Sequence, residues 1–150
     1  MQNSRFIIAA HVITALAYQA DCTVTSECLA QSVNTNAVVI RRLLRQLSRA
    51  GLISSIPGAA GGSRLARPAQ QISLGEIYDA VEGEPFFALH PQTPNASCPI
   101  GAHIQASLLP TFQKAQSAFK QAINTTTVAD LVKNIKRADA ASKRNKGRST

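Results

Sequence analysis

The sequence predicts a mainly α-helical protein with one small β-hairpin and a long helix in its C-terminal half. Three observations lead to this prediction. Apolar residues recur at helical spacing along most of the chain, a glycine-rich reversal separates two short β-type runs within 52–66, and a long amphipathic stripe follows residue 98. With 45% hydrophobic residues over 150 positions, the composition is that of an ordinary globular chain and excludes wholesale disorder.

The first predicted helix is apolar over most of its surface, so it should be largely buried. Its apolar residues step at helical spacing: Phe6, Ala10, Ile13 and Ala17. The segment 21–24 breaks this pattern. Thr25 is expected to cap a short second helix that carries Leu29 and Ala30.

A longer third helix is expected between Asn36, its N-cap, and Gly51, its C′ residue. Its inward stripe is predicted to consist of Val39, Leu43, Leu47 and Ala50. Two helices joined by a short turn, with the second rich in arginine, are typical of a helix-turn-helix. The runs 52–56 and 63–66 predict two strands around the turn 57–62.

The remaining chain predicts three further helices. Ser73 and Glu76 form a capping-box pattern for a helix that stops at Gly83. After a proline-rich loop, Cys98 is the expected N-cap of a long helix whose stripe is Ile104, Leu108, Phe112, Ala115, Phe119 and Ala122. A last short helix is expected through Leu131 and Ile135, and residues 137–150 are expected to form a mobile basic tail.

The net charge of +8 is distributed unevenly. Residues 1–75 carry seven basic and two acidic side chains, residues 76–130 two basic and five acidic, and residues 131–150 seven basic and one acidic. In the first segment every basic residue except Arg5 lies between 41 and 67. This local basic face favours a nucleic-acid partner, although net charge by itself does not define a fold.

The outer face of the third helix should present four arginines, which can grip phosphates or read guanine edges in a major groove. The alternative is a solvated face whose arginines only keep the helix soluble. Four arginines beside a glycine-tipped hairpin favour DNA, and the helix start adds backbone N–H groups that favour a phosphate. The candidate DNA-binding residues are Thr35, Asn36, Val38, Arg41, Arg42, Arg45, Arg49, Gly61, Gly62, Ser63 and Arg64.

These features resemble the Rrf2 family of bacterial winged helix-turn-helix repressors, which includes the iron–sulfur cluster regulator and the nitrite-sensitive repressor. The resemblance covers most of residues 5–83. It is carried by Leu29-Ala30 and by the stretches 40–56, 58–62, 65–66, 72–77 and 80–83. The wing departs from the family at Pro57 and Ser63, where a basic residue and an aromatic residue are usual, so Arg64 is the substitute candidate for contact by the wing.

The resemblance implies a homodimer on a palindromic operator. Residues 1–83 would form the winged helix-turn-helix domain, with the recognition helix at 36–50 and the wing at 52–68. Residues 84–136 would form a loop and dimerisation helices, with the dimer seam on 100–124. Composition, and not the resemblance, sets residues 137–150 apart as a basic tail, which is expected to add affinity without specificity.

Many relatives hold an iron–sulfur cluster through three cysteines in the loop before the long helix. Here that region offers Cys98, with His90 and His103 nearby. Because a cluster needs about four ligands, mostly thiolates, we expect neither a cofactor nor a metal site. The alternative is an atypical cluster that uses His103 and a partner subunit.

Cys98 is the candidate redox-sensing residue, because an N-cap position exposes its sulfur to free amides that favour the reactive thiolate. The alternative is a small residue filling a helix start. An enzyme with Cys98 as nucleophile and His103 as base would lack an orienting third group, so no catalytic residue is assigned. Phe86-Phe87 could pack in the core or line a small ligand pocket.

No run approaches the roughly 20 apolar residues that a membrane span needs, and the N-terminus lacks a secretory pattern. The expected location is therefore the cytoplasm, with double-stranded DNA and a second copy of the chain as partners. The expected function is a transcriptional repressor. Non-specific nucleic-acid binding and the sensing of a small molecule remain alternatives.

Overall fold

The computed structural model describes residues 4–82 and 90–146. Along these residues, six α-helices and a two-stranded antiparallel hairpin confirm the predicted fold class. The helices are α1 (Ser4–Tyr18), α2 (Ser26–Val33), α3 (Ala37–Arg49), α4 (Leu74–Val81), α5 (Pro99–Asn124) and α6 (Val128–Lys146). The hairpin consists of β1 (Ile53–Ile56) and β2 (Gly62–Leu65), and a 3-10 turn at Ala69–Gln71 leads from it to α4.

The predicted helix caps in the first half are confirmed. The Thr25 hydroxyl accepts a hydrogen bond from the Cys28 amide at 3.2 Å, and Asn36 Oδ1 accepts one from the Val39 amide at 2.9 Å. Gly51 follows α3 with a φ of +73°, a left-handed conformation that glycine adopts without steric cost. These local signals therefore fix where α2 and α3 begin and where α3 ends.

The first four helices and the hairpin enclose one apolar core. α1 supplies Val12, Ile13 and Leu16, and α3 packs against α2, α4 and β1. Edge-on ring contacts extend the core to α5, because Phe6 meets Tyr78 at a centroid distance of 5.4 Å and Tyr78 meets Phe119 at 5.2 Å. Each such contact contributes about 0.5–1.5 kcal/mol beyond burial. α1, α4 and the C-terminal half of α5 are thus joined.

The predicted inward stripe of α3 is partly wrong. Leu43 and Leu47 are buried as predicted, but Val39 and Ala50 are exposed. Ile40 and Leu44 are buried in their place. Because α3 contacts elements on several sides, its buried arc is the broader i, i+3, i+4, i+7 pattern. The arginines remain on the outer face in either assignment.

The C-terminal segment also differs from the prediction. α6 continues to Lys146, whereas a mobile tail was expected from residue 137; residues 147–150 lie outside the described part. Alanines, lysines and arginines are strong helix formers, and Lys143 pairs with Asp139 one turn earlier at 2.8 Å. The lack of large apolar residues after residue 137 indicated only that this part of α6 is exposed, and not that it is unfolded.

α6 is hydrogen-bonded to the N-terminal half of the chain. Val128 is fully buried, and its amide donates to the Ile72 carbonyl at 2.9 Å. The Leu74 amide donates to the Thr126 carbonyl, also at 2.9 Å, and α6 then packs along α1. Helices α5 and α6 therefore meet the winged half at different places: α5 meets α4, and α6 meets α1 and the 3-10 turn.

The loop before α5 is only partly described. α4 ends at Val81 with Glu82 as its C-cap, and the Glu82 carboxylate accepts a hydrogen bond from the Phe6 amide at 3.2 Å. The predicted stop Gly83 and the pair Phe86-Phe87 lie outside the described residues. No helix within 4–82 and 90–146 is both long enough and apolar enough to cross a membrane.

Candidate nucleic-acid interface

The turn between α2 and α3 places the two helices as a helix-turn-helix. Asn34 adopts the left-handed conformation at a φ of 61°, and its amide caps α2 by donating to the Ala30 and Gln31 carbonyls. The Thr35 amide also donates to the Ala30 carbonyl, at 2.9 Å. A short side-chain amide tolerates this backbone better than most residues, which explains the polar turn at 32–35.

The outer face of α3 presents the four predicted arginines. Helical spacing places them on one side with Val38, whose side chain is 59% exposed. In the part of the chain that the structure describes, no carboxylate pairs with three of them. Those three are Arg42, Arg45 and Arg49. A cationic face without internal partners is free to bind phosphates and base edges.

Arg41 differs from the other three because it already has a partner. Its guanidinium donates to Glu27 Oε1 of α2 at 2.9 Å and to the Ser26 hydroxyl at 3.4 Å. The pKa of Glu27 lies below its ordinary value because a backbone amide of α2 and the Ser26 hydroxyl bond its carboxylate, and Arg41 adds to the effect. Arg41 therefore joins α2 to α3, and it must exchange Glu27 for DNA in order to bind it.

The N-terminal residues of α3 also take defined places. The Asn36 side chain is occupied as the N-cap, so it is positioned for helix capping more directly than for contact with DNA. Val39 is 40% exposed next to Val38, although its helical spacing predicted a place in the core. Exposed valines at the start of a recognition helix can contact thymine methyl groups.

A groove of about 420 Å³ runs between α3 and β1. Arg41, Arg45 and Arg49 line it on the helix side, and Ser48 of α3 and Ser55 of β1 contribute hydroxyl groups. The two serines were not among the predicted candidates, although Ser48 falls on the predicted outer face. Hydroxyl groups beside guanidinium groups are typical phosphate contacts.

The hairpin presents Arg64 to solvent and buries its neighbour. Arg64 lies opposite Ser54 in the hairpin register and is exposed. Ser63 is only 3% exposed, its hydroxyl lies 3.2 Å from the Ser55 hydroxyl, and its backbone bonds Val24 in both directions at 2.9 Å. The Ser63 side chain is thus buried and not available to DNA, contrary to the prediction, because backbone pairing with Val24 holds this residue between the hairpin and the loop before α2.

The two predicted glycines of the wing allow close backbone approach at two places, Gly62 against the loop before α2 and Gly61 within the hairpin turn. A Cβ at Gly62 would lie 2.9 Å from the Val24 carbonyl oxygen, and one at Gly61 would overlap the Ile56 carbonyl oxygen. The Gly61 amide closes the turn by donating to the Gly58 carbonyl at 3.0 Å. Both positions need glycine for close backbone approach, which leaves Arg64 as the charged side chain of β2.

Cys98 lies at the N-cap of α5, half-exposed. The backbone amides of Gly101 and Ile100 lower the pKa of the Cys98 thiol, as expected at a helix start. His103 is exposed five residues further along, and the ring of His90 bonds the backbone of Gln92. The backbone amides at the start of α5 are therefore the groups that lower the pKa of the Cys98 thiol.

The described residues of one chain do not bring together the ligands of an iron–sulfur cluster. Across 4–82 and 90–146, no three His, Cys, Asp or Glu side chains come together in a way that could hold a metal ion. Cys22 and Cys28 belong to the helix-turn-helix half and are exposed there, whereas Cys98 lies at the start of α5. A cluster needs about four ligands, mostly thiolates, and this donor set does not supply them.

A helix-turn-helix with an arginine face, followed by a β-hairpin, defines the winged helix-turn-helix class of DNA-binding proteins. The family model Rrf2, described as iron-dependent transcriptional regulator, matches residues 2–134. The chain is 38% identical over 136 residues to the Bacillus subtilis protein YwnA, named as an HTH-type transcriptional regulator, covering 90% of this chain and 99% of YwnA. The chain belongs to the Rrf2 family of transcriptional regulators and is not an enzyme.

Solved structures show the same architecture. A protein from Lactobacillus plantarum, described as a transcriptional regulator, superposes with a TM-score of 0.74 at 25% identity, covering 97% of this chain and 99% of that one. The oxidized form of Staphylococcus aureus CymR superposes with a TM-score of 0.64, also at 25% identity, covering 88% of this chain and 96% of that one. The fold is therefore shared along almost the whole length.

Proposed function

We propose that this regulator is a repressor that binds a palindromic operator as a homodimer. The observation that carries the proposal is the face of α3, where Arg42, Arg45 and Arg49 have no acidic partner among the described residues. A major groove admits one helix, and arginine reads guanine there through two hydrogen bonds. Arg64 of the hairpin would then contact the adjacent backbone or minor groove.

The exposed apolar side of α5 supports the homodimer. Ile100, Ile104 and Leu108 follow one another at intervals of four residues and are 72%, 38% and 40% exposed. Such a row on one helix face is typical of an interface with a second copy, because a lone chain would leave it in water. A two-fold dimer presents two α3 helices, which is why the operator should be palindromic.

The same proposed geometry supports repression, because a dimer bound across two half-sites would cover DNA that another protein needs. The chromosome is the target, so the proposed location is the cytoplasm. We propose no resident cofactor, in agreement with the donor set around Cys98.

A second proposal concerns the signal that the regulator senses. The lowered pKa of Cys98 favours its thiolate, which is the form that reacts with oxidants. Cys98 begins α5, the helix with the exposed apolar row, so its oxidation would act next to the proposed dimer interface. The oxidized state in which the S. aureus CymR structure is described supports the idea that regulators of this fold can undergo oxidation.

Selection from random duplex DNA tests the main proposal. The full chain, kept reduced, is incubated with a library of duplexes, and the bound DNA is amplified and sequenced over successive rounds. We expect enrichment of an inverted repeat. Binding without any enriched sequence would favour a non-specific nucleic-acid-binding protein instead, since contacts to phosphates alone carry no sequence information.

A further inference from the structure

A second concave surface lies apart from the arginine face of α3. It is a cavity of about 670 Å³ between the C-terminal half of α1, the hairpin with the turn that follows it, and the first half of α6. The residues that line it are Leu16, Ala17, Ala20, Arg64, Leu65, Arg67, Pro68, Ala69, Gln70, Ala129, Val132, Lys133, Lys136 and Arg137. Its size is in the range of small-molecule sites.

The rim of this cavity is strongly basic. Five of the lining side chains are cationic, and no carboxylate is among the described residues that line it. The charge of Arg67 is neutralised, because Arg67 pairs with Glu76 at 2.6 Å; it also donates to the Gln71 carbonyl. Four cations lie around the cavity without a salt bridge in 4–82 and 90–146, namely Arg64, Lys133, Lys136 and Arg137. Lys133 is attracted at longer range by Asp130, and the Lys136 ammonium lies over the Tyr18 ring at 5.4 Å.

The floor of the cavity is apolar. Leu16 is 1% exposed at its base, and Ala17, Leu65, Ala69 and Val132 are half-buried around it. A DNA phosphate held by the rim would leave these side chains uncovered, whereas a ligand with an apolar body would cover them. An apolar floor with a few charged groups at its edge is typical of a small-molecule site.

We propose that this cavity binds a small organic anion, with its carboxylate, sulfonate or phosphate group at the basic rim and its apolar body on the floor. Lys133 and Lys136 of α6 supply the rim charge on one side. Arg64 supplies it on the other side. The ligand would therefore bridge α6 and the hairpin.

Arg64 connects the cavity to DNA binding, and this step rests on the proposed function. A bound anion would compete with DNA for the Arg64 guanidinium, so the filled cavity should weaken operator binding. Binding of the anion itself is measured without DNA. Failure of the cavity proposal is therefore distinguishable from failure of the DNA-binding proposal.

The test uses the dye 8-anilinonaphthalene-1-sulfonate, which joins a sulfonate to an aromatic body, and follows its fluorescence with the full chain. The test variant is Lys133→Gln/Lys136→Gln. The matched control is Lys143→Gln/Lys146→Gln, which removes the same charge from the same helix outside the cavity. Methanesulfonate, which has the anionic group without the apolar body, serves as competitor.

We expect saturable binding of the dye that weakens at least tenfold in the test variant, stays unchanged in the control, and resists methanesulfonate. Equal affinity in all three proteins would overturn the proposal, as would equally effective displacement by methanesulfonate. So would a third outcome, in which the test variant binds random duplex DNA more weakly than the control while binding the dye normally. The rim would then belong to the DNA surface.

Discussion

Glu27 and DNA compete for one residue of the helix-turn-helix, Arg41. Arg41 belongs to the arginine face of α3, yet its guanidinium pairs with Glu27 of α2 at 2.9 Å. Both side chains are largely solvated, so the ion pair stabilises the free protein only weakly. The pair does, however, hold Arg41 back from DNA, and the Glu27 carboxylate would repel a nearby phosphate.

Replacing Glu27→Gln should therefore strengthen operator binding a few-fold, because Arg41 is released. The gain should shrink in an Arg41→Ala background, since no guanidinium is left to release. A double-mutant cycle of affinities measured by fluorescence anisotropy checks this. An equal gain in both backgrounds would show that Glu27 acts through its charge alone and not through Arg41.

The thiol of Cys98 should be reactive at lower pH than the same thiol in the unfolded chain. Its pKa is lowered by helix amides, and unfolding removes those amides. In the variant Cys22→Ser/Cys28→Ser, which keeps Cys98 alone, the midpoint of alkylation by iodoacetamide should lie at lower pH for folded than for urea-unfolded protein.

The matching functional control is Cys98→Ser. This variant should bind the operator normally when reduced and should lose its response to peroxide. A response that persists in Cys98→Ser would place the sensor elsewhere, and coincident alkylation midpoints would remove the physical basis for the thiolate.

At the scale of single elements, local residues determine where α3 begins and ends, whereas tertiary packing determines which of its side chains are buried. Asn36 marks the start of the helix and Gly51 follows its end, and both roles depend on neighbouring residues only. The buried arc depends instead on what surrounds the helix. For that reason Val39 was misassigned from the sequence although the caps were predicted.

Removing the N-cap of α3 should show whether the Asn36 side chain stabilises the fold or contacts DNA. Asn36→Ala should lower the free energy of unfolding by about 1 kcal/mol, because the Val39 amide loses its acceptor. Asn36→Ser retains an acceptor and should unfold close to wild type. Urea denaturation followed by circular dichroism measures both variants. If Asn36→Ala keeps full stability and loses only DNA affinity, the side chain is a DNA contact and not a cap.

In the hairpin, the strands are predictable from the sequence, but the burial of individual side chains is not. Its strands and turn follow from alternation and from glycines, and the register confirms them. The burial of Ser63 depends on its pairing with Val24, which lies 39 positions earlier in the chain, and no local pattern indicates that contact. The sequence therefore predicted the hairpin but not which of its side chains remain free for DNA.

At the scale of the whole molecule, the charge is arranged around the two proposed binding surfaces. Helical spacing places the cations of α3 on one face, and Arg64 follows the glycine-rich turn, so the sequence shows both directly. The cations of α6 reach the hairpin only because α6 folds back along α1. The basic segment expected as a tail is instead a helix as far as Lys146, and its first half lines a cavity.

The apolar side of α5 should hold two copies together. Leu108→Glu places a charge in the proposed interface and should shift the protein from dimer to monomer in sedimentation equilibrium. Gln113→Glu is the control, since it introduces the same charge at an exposed position on the opposite side of α5. A wild-type protein that is already monomeric, or a Leu108→Glu variant that stays dimeric, would contradict this assignment.

The central claim is that α3 reads DNA sequence through its unpaired arginines. The most direct measurement is the ratio of affinities for the selected inverted repeat and for a scrambled duplex of equal length, at one salt concentration. For wild type the ratio should reach about 10³ or more. In Arg42→Ala/Arg45→Ala it should fall at least tenfold, while Lys143→Gln/Lys146→Gln should keep it. A wild-type ratio near one, or an unchanged ratio in the arginine variant, would contradict the claim.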